Sequence, residues 1–212
     1  MDNISVIIRN RNEERYIGYA IQSVLDTFEK PEIIIVNNNS TDNSMGIVNT
    51  FDFENIKTYS IDSYTPGKSL NYGVTKCSND YILILSAHSQ IMNCEFGKIK
   101  GLLDEHCVVG GKQIPVWNGK KISRRYVWSN FEEHDIVNQF SSNEDRYFLH
   151  NAFAFYTKQT LTEYPFDEDL SGKEDRYWVN DRIEEGMDSY YDSVTTCHHH
   201  YTDNGATWKG IG

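Results

Sequence analysis

The chain has 212 residues, 39% of them hydrophobic and 24% charged, which suits one well-buried soluble domain and is short for two. Its 31 Asp and Glu outnumber 20 Lys and Arg, and the formal charge of −11 repels nucleic acid, so none is expected as a partner. No apolar run reaches the ~20 residues of a membrane span. Residues 1–10 (MDNISVIIRN) do not read as a secretory signal, and four cysteines (Cys77, Cys94, Cys107, Cys197) without a CxxC pair argue against a zinc ribbon or disulfide scaffold. The expected location is cytoplasmic. Lys120-Lys121 with Arg124-Arg125 is the densest basic cluster, either a solvated loop or a contact for an acceptor phosphate or a membrane surface.

In chain order, residues 4–8 (ISVII) predict a strand buried on both faces. Residues 9–14 (RNRNEE) form a polar loop, with Asn12 as N-cap of a helix and Glu13-Glu14 in its first turn. Ile17, Ala20, Ile21, Val24, Leu25 and Phe28 make the helix's apolar stripe, and Pro31 stops it. A second strand spans 32–36. Ser40, Thr41 and Asp42 cap a helix running to about residue 51. A strand over 57–61, a helix over 68–77, a strand over 81–85 and a helix through Phe96, Ile99, Leu102 and Leu103 follow. This alternation requires right-handed crossovers and a mostly parallel sheet. Beyond residue 105, strands over 108–116 and 153–156 and a helix over 175–185, closed by Gly186, are expected. A short strand over 194–197 then leads into His198-His199-His200.

Ligands of open α/β sheets bind beyond the carboxyl ends of the strands. Three polar loops fall there, at 9–14, 37–42 and 86–90. Polarity alone only says that loops meet water; Arg, Asn and His at three successive strand ends favour a ligand site. The PGKSLNYG stretch (66–73) is not a GxxxxGK[ST] phosphate loop, because the first glycine is missing. Lys68 is a candidate to neutralise a donor phosphate, against an ordinary lysine at a helix start; Asn71 reads as fixing a loop through its amide. Trp117, Trp128 and Trp178 are either core or sugar platforms. In an extended chain, His198 and His200 fall on one face and His199 on the other.

These strands and loops, with Phe166-Asp167-Glu168, Gly172-Lys173-Glu174-Asp175, Gly186 and the three histidines, resemble the GT-A glycosyltransferases of family 2 over nearly the whole chain. The resemblance implies an α/β GT-A fold: one Rossmann-like domain, a mostly parallel central sheet flanked by helices, with a nucleotide-sugar half (1–105) and an acceptor and catalytic half (106–212). It implies an inverting enzyme that moves a sugar from a nucleotide-sugar donor to a saccharide or lipid-linked acceptor in surface polysaccharide synthesis, with the inner membrane face as a peripheral contact. By the same resemblance Asp175 is the base that takes the acceptor proton, with Glu174 beside it. Arg9, Asn10, Arg11, Asn12, Asn37, Asn38, Lys68, Ser86 and His88 then fall on the donor side. The family's first loop usually opens with proline and its second carries an aspartate that recognises the base. Here Arg9-Asn10 and Asn37-Asn38-Asn39 stand instead, so the preferred base is open.

The departure that matters most is Ser86-Ala87-His88, where the family carries Asp-x-Asp for Mg²⁺ or Mn²⁺. A divalent cofactor is therefore in doubt, and three readings stand. His88 binds the metal with one of His198, His199 and His200; or it replaces the metal by donating to phosphate; or the site is inactive. A non-catalytic carbohydrate- or nucleotide-binding domain is accordingly the alternative from another class. A sugar nucleotidyltransferase fits less well, because RNRNEE lacks the glycines of its first loop.

Overall fold

The computed structural model describes residues 2–122, 126–203 and 205. Strands and helices alternate through the first half: β1 (Ile4–Asn10), α1 (Ile17–Thr27), β2 (Glu32–Asn37), α2 (Ser44–Val48), β3 (Ile56–Ser60), α3 (Pro66–Lys76) and β4 (Tyr81–Ser86). Then come β5 (Ser89–Asn93), α4 (Phe96–Leu103) and β6 (Val108–Trp117). Four two-residue strands follow, β7 (Lys120–Lys121), β8 (Ile136–Val137), β9 (Phe140–Ser141) and β10 (Arg146–Tyr147). The chain continues through β11 (Phe153–Thr157), α5 (Lys158–Glu163), α6 (Glu174–Glu184) and β12 (Ser189–His200).

One sheet runs through both halves in the order β3-β2-β1-β4-β11-β6-β12-β5. The β3/β2, β2/β1, β1/β4 and β6/β12 junctions are parallel. Those of β4/β11, β11/β6 and β12/β5 are antiparallel, so the spine is mostly parallel and its far side mixed. The apolar run of β1 explains its central place, because its side chains must be covered on both faces. Ile4, Val6 and Ile8 pack with α1 and α4 on one face, and Ile7 packs with α3 and α6 on the other. Gly73 lets α3 approach that second face closely: a Cβ there would lie 2.8 Å from Ile7 Cγ2.

Several boundaries differ from the sequence expectation, each for a reason in the loops. Helix α1 opens at Ile17, not after Asn12. Asn12 adopts a left-handed backbone (φ 56°), and its Oδ1 accepts from the Thr41 (2.7 Å) and Asp42 (3.4 Å) amides. The expected cap therefore ties two loops together instead of starting a helix. Glu14 and Asp42 reinforce the tie, since the Glu14 amide donates to Asp42 Oδ2 and the Asn43 amide to Glu14 Oε2, each at 2.8 Å. With Asp42 so engaged, α2 starts only at Ser44 and is one short turn. Strand β5 was not foreseen, and β12 is far longer than residues 194–197, absorbing all three histidines. They hold strand geometry because β5 pairs on one side and β6 on the other. Trp178 is buried in the α3/α6 core and Trp128 in a small cluster with Val127 and Phe148, whereas Trp117 is 46% exposed. The four cysteines are free thiols. Arg124-Arg125 lie outside the described residues.

Candidate functional site

A cavity of about 690 Å³ opens at the carboxyl ends of β1 and β4 and is closed on its other side by the start of α6. Arg9, Asn10, Arg11 and Asn12 line it from the first loop, Ser86 and His88 from the third, and Glu174 and Asp175 from α6. Asn37, Asn38, Lys68, His198, His199 and His200 are not among its lining residues.

The first two loops are knitted by uncharged groups. Asn10 Nδ2 donates to Ser44 Oγ (3.0 Å), Ser40 Oγ (3.1 Å) and Asn37 Oδ1 (3.3 Å). Ser40 Oγ also donates to Asn37 Oδ1 at 2.7 Å. Asn39 takes a left-handed conformation (φ 47°), as Asn tolerates better than most residues. The Asn38 amide donates to Asn10 O at 2.8 Å, while its buried side-chain Nδ2 has no hydrogen-bond partner among the described residues.

The other wall is built of buried charge. Lys173 precedes α6 in a left-handed conformation (φ 62°), which costs on the order of 1–3 kcal/mol for a residue with a side chain and orients the first turn of α6. Asp175 Oδ2 accepts from the Asn151 amide (2.9 Å) and Arg176 Nη1 (2.8 Å); its Oδ1 accepts from the Arg176 amide (2.9 Å). Burial raises the Asp175 pKa, but Arg176, His150 and these donors outweigh it and hold the carboxyl below the ordinary range. Glu174 moves the other way. Burial pushes its carboxyl up, although Arg9 Nη1 reaches Glu174 Oε1 at 3.2 Å. Two adjacent carboxylates thus have their proton affinities driven apart, as paired catalytic acids and bases often do. Tyr156 OH donates to Asn151 Oδ1 at 2.5 Å and so braces the segment whose amide holds Asp175. Glu144, barely exposed, sits 3.6 Å from both Arg176 Nη2 and Lys173 Nζ. Glu144, Asn151 and Tyr156 carry no motif, and sequence reasoning missed them.

The PGKSLNYG stretch holds this wall in place. Thr65 caps α3 by accepting from the Lys68 amide, and Thr65 Oγ1 donates to Glu168 O at 2.6 Å. Asn71 Nδ2 donates to Phe166 O (2.8 Å) and Glu168 Oε1 (3.0 Å), and Asn71 Oδ1 accepts from the Phe166 amide (3.0 Å). Gly67 is required there, since a Cβ would lie 2.2 Å from Asp167 O. Lys68 Nζ turns to Ser63 Oγ.

The histidines divide between two faces. His199 lies under the third loop, its Nε2 3.0 Å from His88 Nε2 and its Nδ1 2.9 Å from Gln113 Oε1. His200 stacks on Tyr16 (centroids 4.8 Å apart) with His198 beside it. His88 Nδ1 is 3.3 Å from Glu13 Oε1. Glu13 and Gln113 also escaped the sequence reading. Ser86 and His88 bring no carboxylate oxygen, and among the described residues no group of three His, Cys, Asp or Glu side chains is arranged to hold a metal ion. This donor set does not fit a Mg²⁺ or Mn²⁺ ion held by the protein.

The family model for glycosyl transferase family 2 matches residues 5–164, which stops before Glu174-Asp175. GgaA, a minor teichoic acid biosynthesis protein of Bacillus subtilis, is 26% identical over 187 residues, covering 83% of this chain and 42% of that protein. A Methanococcus voltae dolichyl N-acetyl-alpha-D-glucosaminyl phosphate 3-beta-D-2,3-diacetamido-2,3-dideoxy-beta-D-glucuronosyltransferase is 30% identical over 96 residues, 42% of this chain and 30% of that one. S. aureus TarS 1-349, solved with UDP-GlcNAc, shares the fold at TM-score 0.74 and 21% identity, over 98% of this chain and 61% of that one. The mannosyltransferase PcManGT of Pyrobaculum calidifontis, solved with GDP-Man and Mn²⁺, does so at TM-score 0.72 and 14% identity, over 96% and 58%. The chain thus spans less than two thirds of each of these relatives. Among the described residues no helix is long and apolar enough to cross a membrane. With the family model matching well over half of its length, and the fold shared with solved glycosyltransferases, the chain belongs to glycosyl transferase family 2 as a GT-A glycosyltransferase domain.

Proposed function

We propose that the domain is an inverting transferase that moves a sugar from a nucleotide donor to a saccharide or lipid-linked acceptor in surface polysaccharide synthesis, acting in the cytoplasm or at the inner membrane face. The observation that carries this reading is the facing of two walls across one cavity: the loops ending β1 and β4 on one side, Glu174-Asp175 on the other. Residues 1–105 supply the donor side and residues 106–212 most of the acceptor side.

Asp175 is the proposed base. A carboxylate oxygen has two lone pairs. Oδ2 uses both and Oδ1 only one, so Oδ1 keeps a lone pair for the acceptor hydroxyl's proton. As that proton leaves, the acceptor oxygen bonds the anomeric carbon and the bond from that carbon to the donor diphosphate breaks. A depressed pKa makes Asp175 a weak base but keeps it ionised, and in-line placement compensates for weak basicity. Glu174 keeps Arg9 in position, and Arg9, Arg11 and the Ser86 hydroxyl face the side where negative charge grows on the diphosphate. The Asn38 side-chain Nδ2, without a hydrogen-bond partner among the described residues and just outside the cavity's lining, is the proposed contact for the nucleobase. UDP-GlcNAc in TarS and GDP-Man in PcManGT make a nucleotide-sugar donor the natural ligand class.

The lack of carboxylates at Ser86-Ala87-His88 favours a second reading, a domain that binds nucleotide sugar without transfer. Calorimetric titration with UDP, GDP, CDP and dTDP sugars, with and without Mn²⁺, separates these readings when paired with donor turnover. Saturable binding with turnover supports the transferase. Binding without turnover by the protein and a broad acceptor panel supports the second reading, and no binding by any donor sinks both.

A further inference from the structure

One ring nitrogen of His88, Nε2, ends a hydrogen-bonded chain whose direction can be worked out. It begins at Gln113 on β6, which is 2% exposed. Gln113 Nε2 donates to His150 O at 2.9 Å, which fixes Oε1 as the atom facing His199 Nδ1. An amide oxygen only accepts, so His199 carries its proton on Nδ1. His199 is 1% exposed, and burial together with the nearby His88 and His150 holds it neutral. A neutral ring with Nδ1–H has a lone pair on Nε2. The 3.0 Å contact to His88 Nε2 is then a hydrogen bond in which His88 donates. The second nitrogen of His88 has no hydrogen-bond partner among the described residues. Its Nδ1 stands 3.3 Å from Glu13 Oε1, an ion-pair distance without hydrogen-bond alignment, and the same oxygen accepts from Thr202 Oγ1 at 3.2 Å. The His88 backbone is pinned too, because the His200 amide donates to His88 O at 2.9 Å.

We infer that Gln113 and His199 are positioning residues that hold the His88 Nε2 proton inside the protein, closing that ring nitrogen to a divalent metal ion at the place where the family carries Asp-x-Asp. The inference deepens the proposed function and rests on reading the Ser86–His88 loop as the diphosphate side of the site. A metal ligand must offer a lone pair. His88 Nε2 spends its position on a proton, so a divalent ion could meet this ring only at Nδ1, beside Glu13 Oε1. His88 in turn braces the third loop against β12.

Two measurements on the intact chain test this. Long-range ¹H–¹⁵N correlation spectra of the histidine rings at neutral pH, assigned with His88→Gln, read the tautomers directly. The expected result is His199 as the Nδ1–H form and His88 protonated at Nε2; a His199 signal from the Nε2–H form overturns the proposal. Replacing Gln113 with Met removes the acceptor at similar volume and is expected to leave His199 divided between both tautomers, with the melting curve read alongside. Zn²⁺ titration of the same parent spectra, without nucleotide, covers the case in which the Gln113 variant does not fold. The His88 Nε2 signal should keep its protonated form throughout, whereas its conversion to an unprotonated, metal-bound nitrogen overturns the proposal. Neither readout needs a donor. A chain that binds no nucleotide diphosphate would instead sink the donor-site reading.

Discussion

The two walls of the cavity are built on opposite physical plans. The wall at the end of β1 is backed by a mesh of short neutral side chains, Asn10 and Asn12 with Asn37 and Ser40 behind them, bonded mostly to one another and to backbone amides. The wall from α6 is a cluster of buried ions, with Arg9, Glu144, Glu174, Asp175 and Arg176 within a few ångströms of one another. Amides and hydroxyls satisfied in place cost little to bury and make a stable floor that reads shape. Buried ions are expensive unless paired, and removing one partner exposes the cost of the other. Rate should therefore be sensitive on the α6 wall, and affinity on the other.

The largest expected effect is on rate. Asp175→Asn keeps an acceptor for only one of the Asn151 and Arg176 amides and cannot take a proton, and should lower transfer by about 10²–10⁴-fold. Nucleotide affinity, measured by calorimetry, should stay within a few-fold; near-parental turnover would remove Asp175 from the mechanism. The same variant has a pH signature. The Asp175 carboxyl is held below its ordinary range, so its stabilisation is complete above about pH 4 and is lost as pH falls through its lowered folded value. Urea unfolding between about pH 5 and 2 should show a steeper loss of stability for the parent than for Asp175→Asn. Glu174 works with the opposite sign, since its raised value makes the folded state hold that proton more tightly.

Arg176→Met tests whether the ionic wall depends on pairing. It strands Asp175 and Glu144 together, and should lower unfolding free energy by about 3–5 kcal/mol at neutral pH. A loss below about 1 kcal/mol would mean the pair is better hydrated than its burial indicates. A smaller effect is expected where the two walls are stitched together. Asn71→Ala removes three hydrogen bonds to Phe166 and Glu168 and should cost roughly 1–3 kcal/mol, with turnover falling more than donor affinity. Equal losses in both would place that segment on the donor side. Least of all should come from Lys68→Ala. Its amine turns to Ser63, so nucleotide-diphosphate affinity should change by no more than about twofold. A tenfold loss would return Lys68 to the phosphate site.

Much of this arrangement was legible from the chain. The Ile-rich run of β1 and the apolar stripe of α1 report period and burial, which are local properties. The positions of the three polar loops at strand ends and of Glu174-Asp175 at a helix start were legible for the same reason, since they follow from where strands and helices begin and end. Loop chemistry was less so. Asn12 has the composition of a helix cap, and only the second loop, reaching its Oδ1 from Thr41 and Asp42, turns it into a cross-link. Strand β5 was hidden because five residues with one strongly buried aliphatic carry little periodic signal.

The sequence by itself determined the parallel βα spine, its two apolar faces and the placing of polar loops at one edge. These follow from hydrophobic periodicity and chain handedness, which act over a few residues at a time. Tertiary structure alone decided which residues share a proton or a charge. Gln113 meets His199 across 86 positions of sequence, His88 meets His199 across 111, and Arg9 meets Glu174 across 165. It also decided that Asp175 and Glu174, neighbours in the chain, hold protons with opposite tendencies, because Arg176 and the Asn151 amide reach one while burial dominates the other. A pKa is set by the groups within a few ångströms and by access to water, and neither is encoded locally.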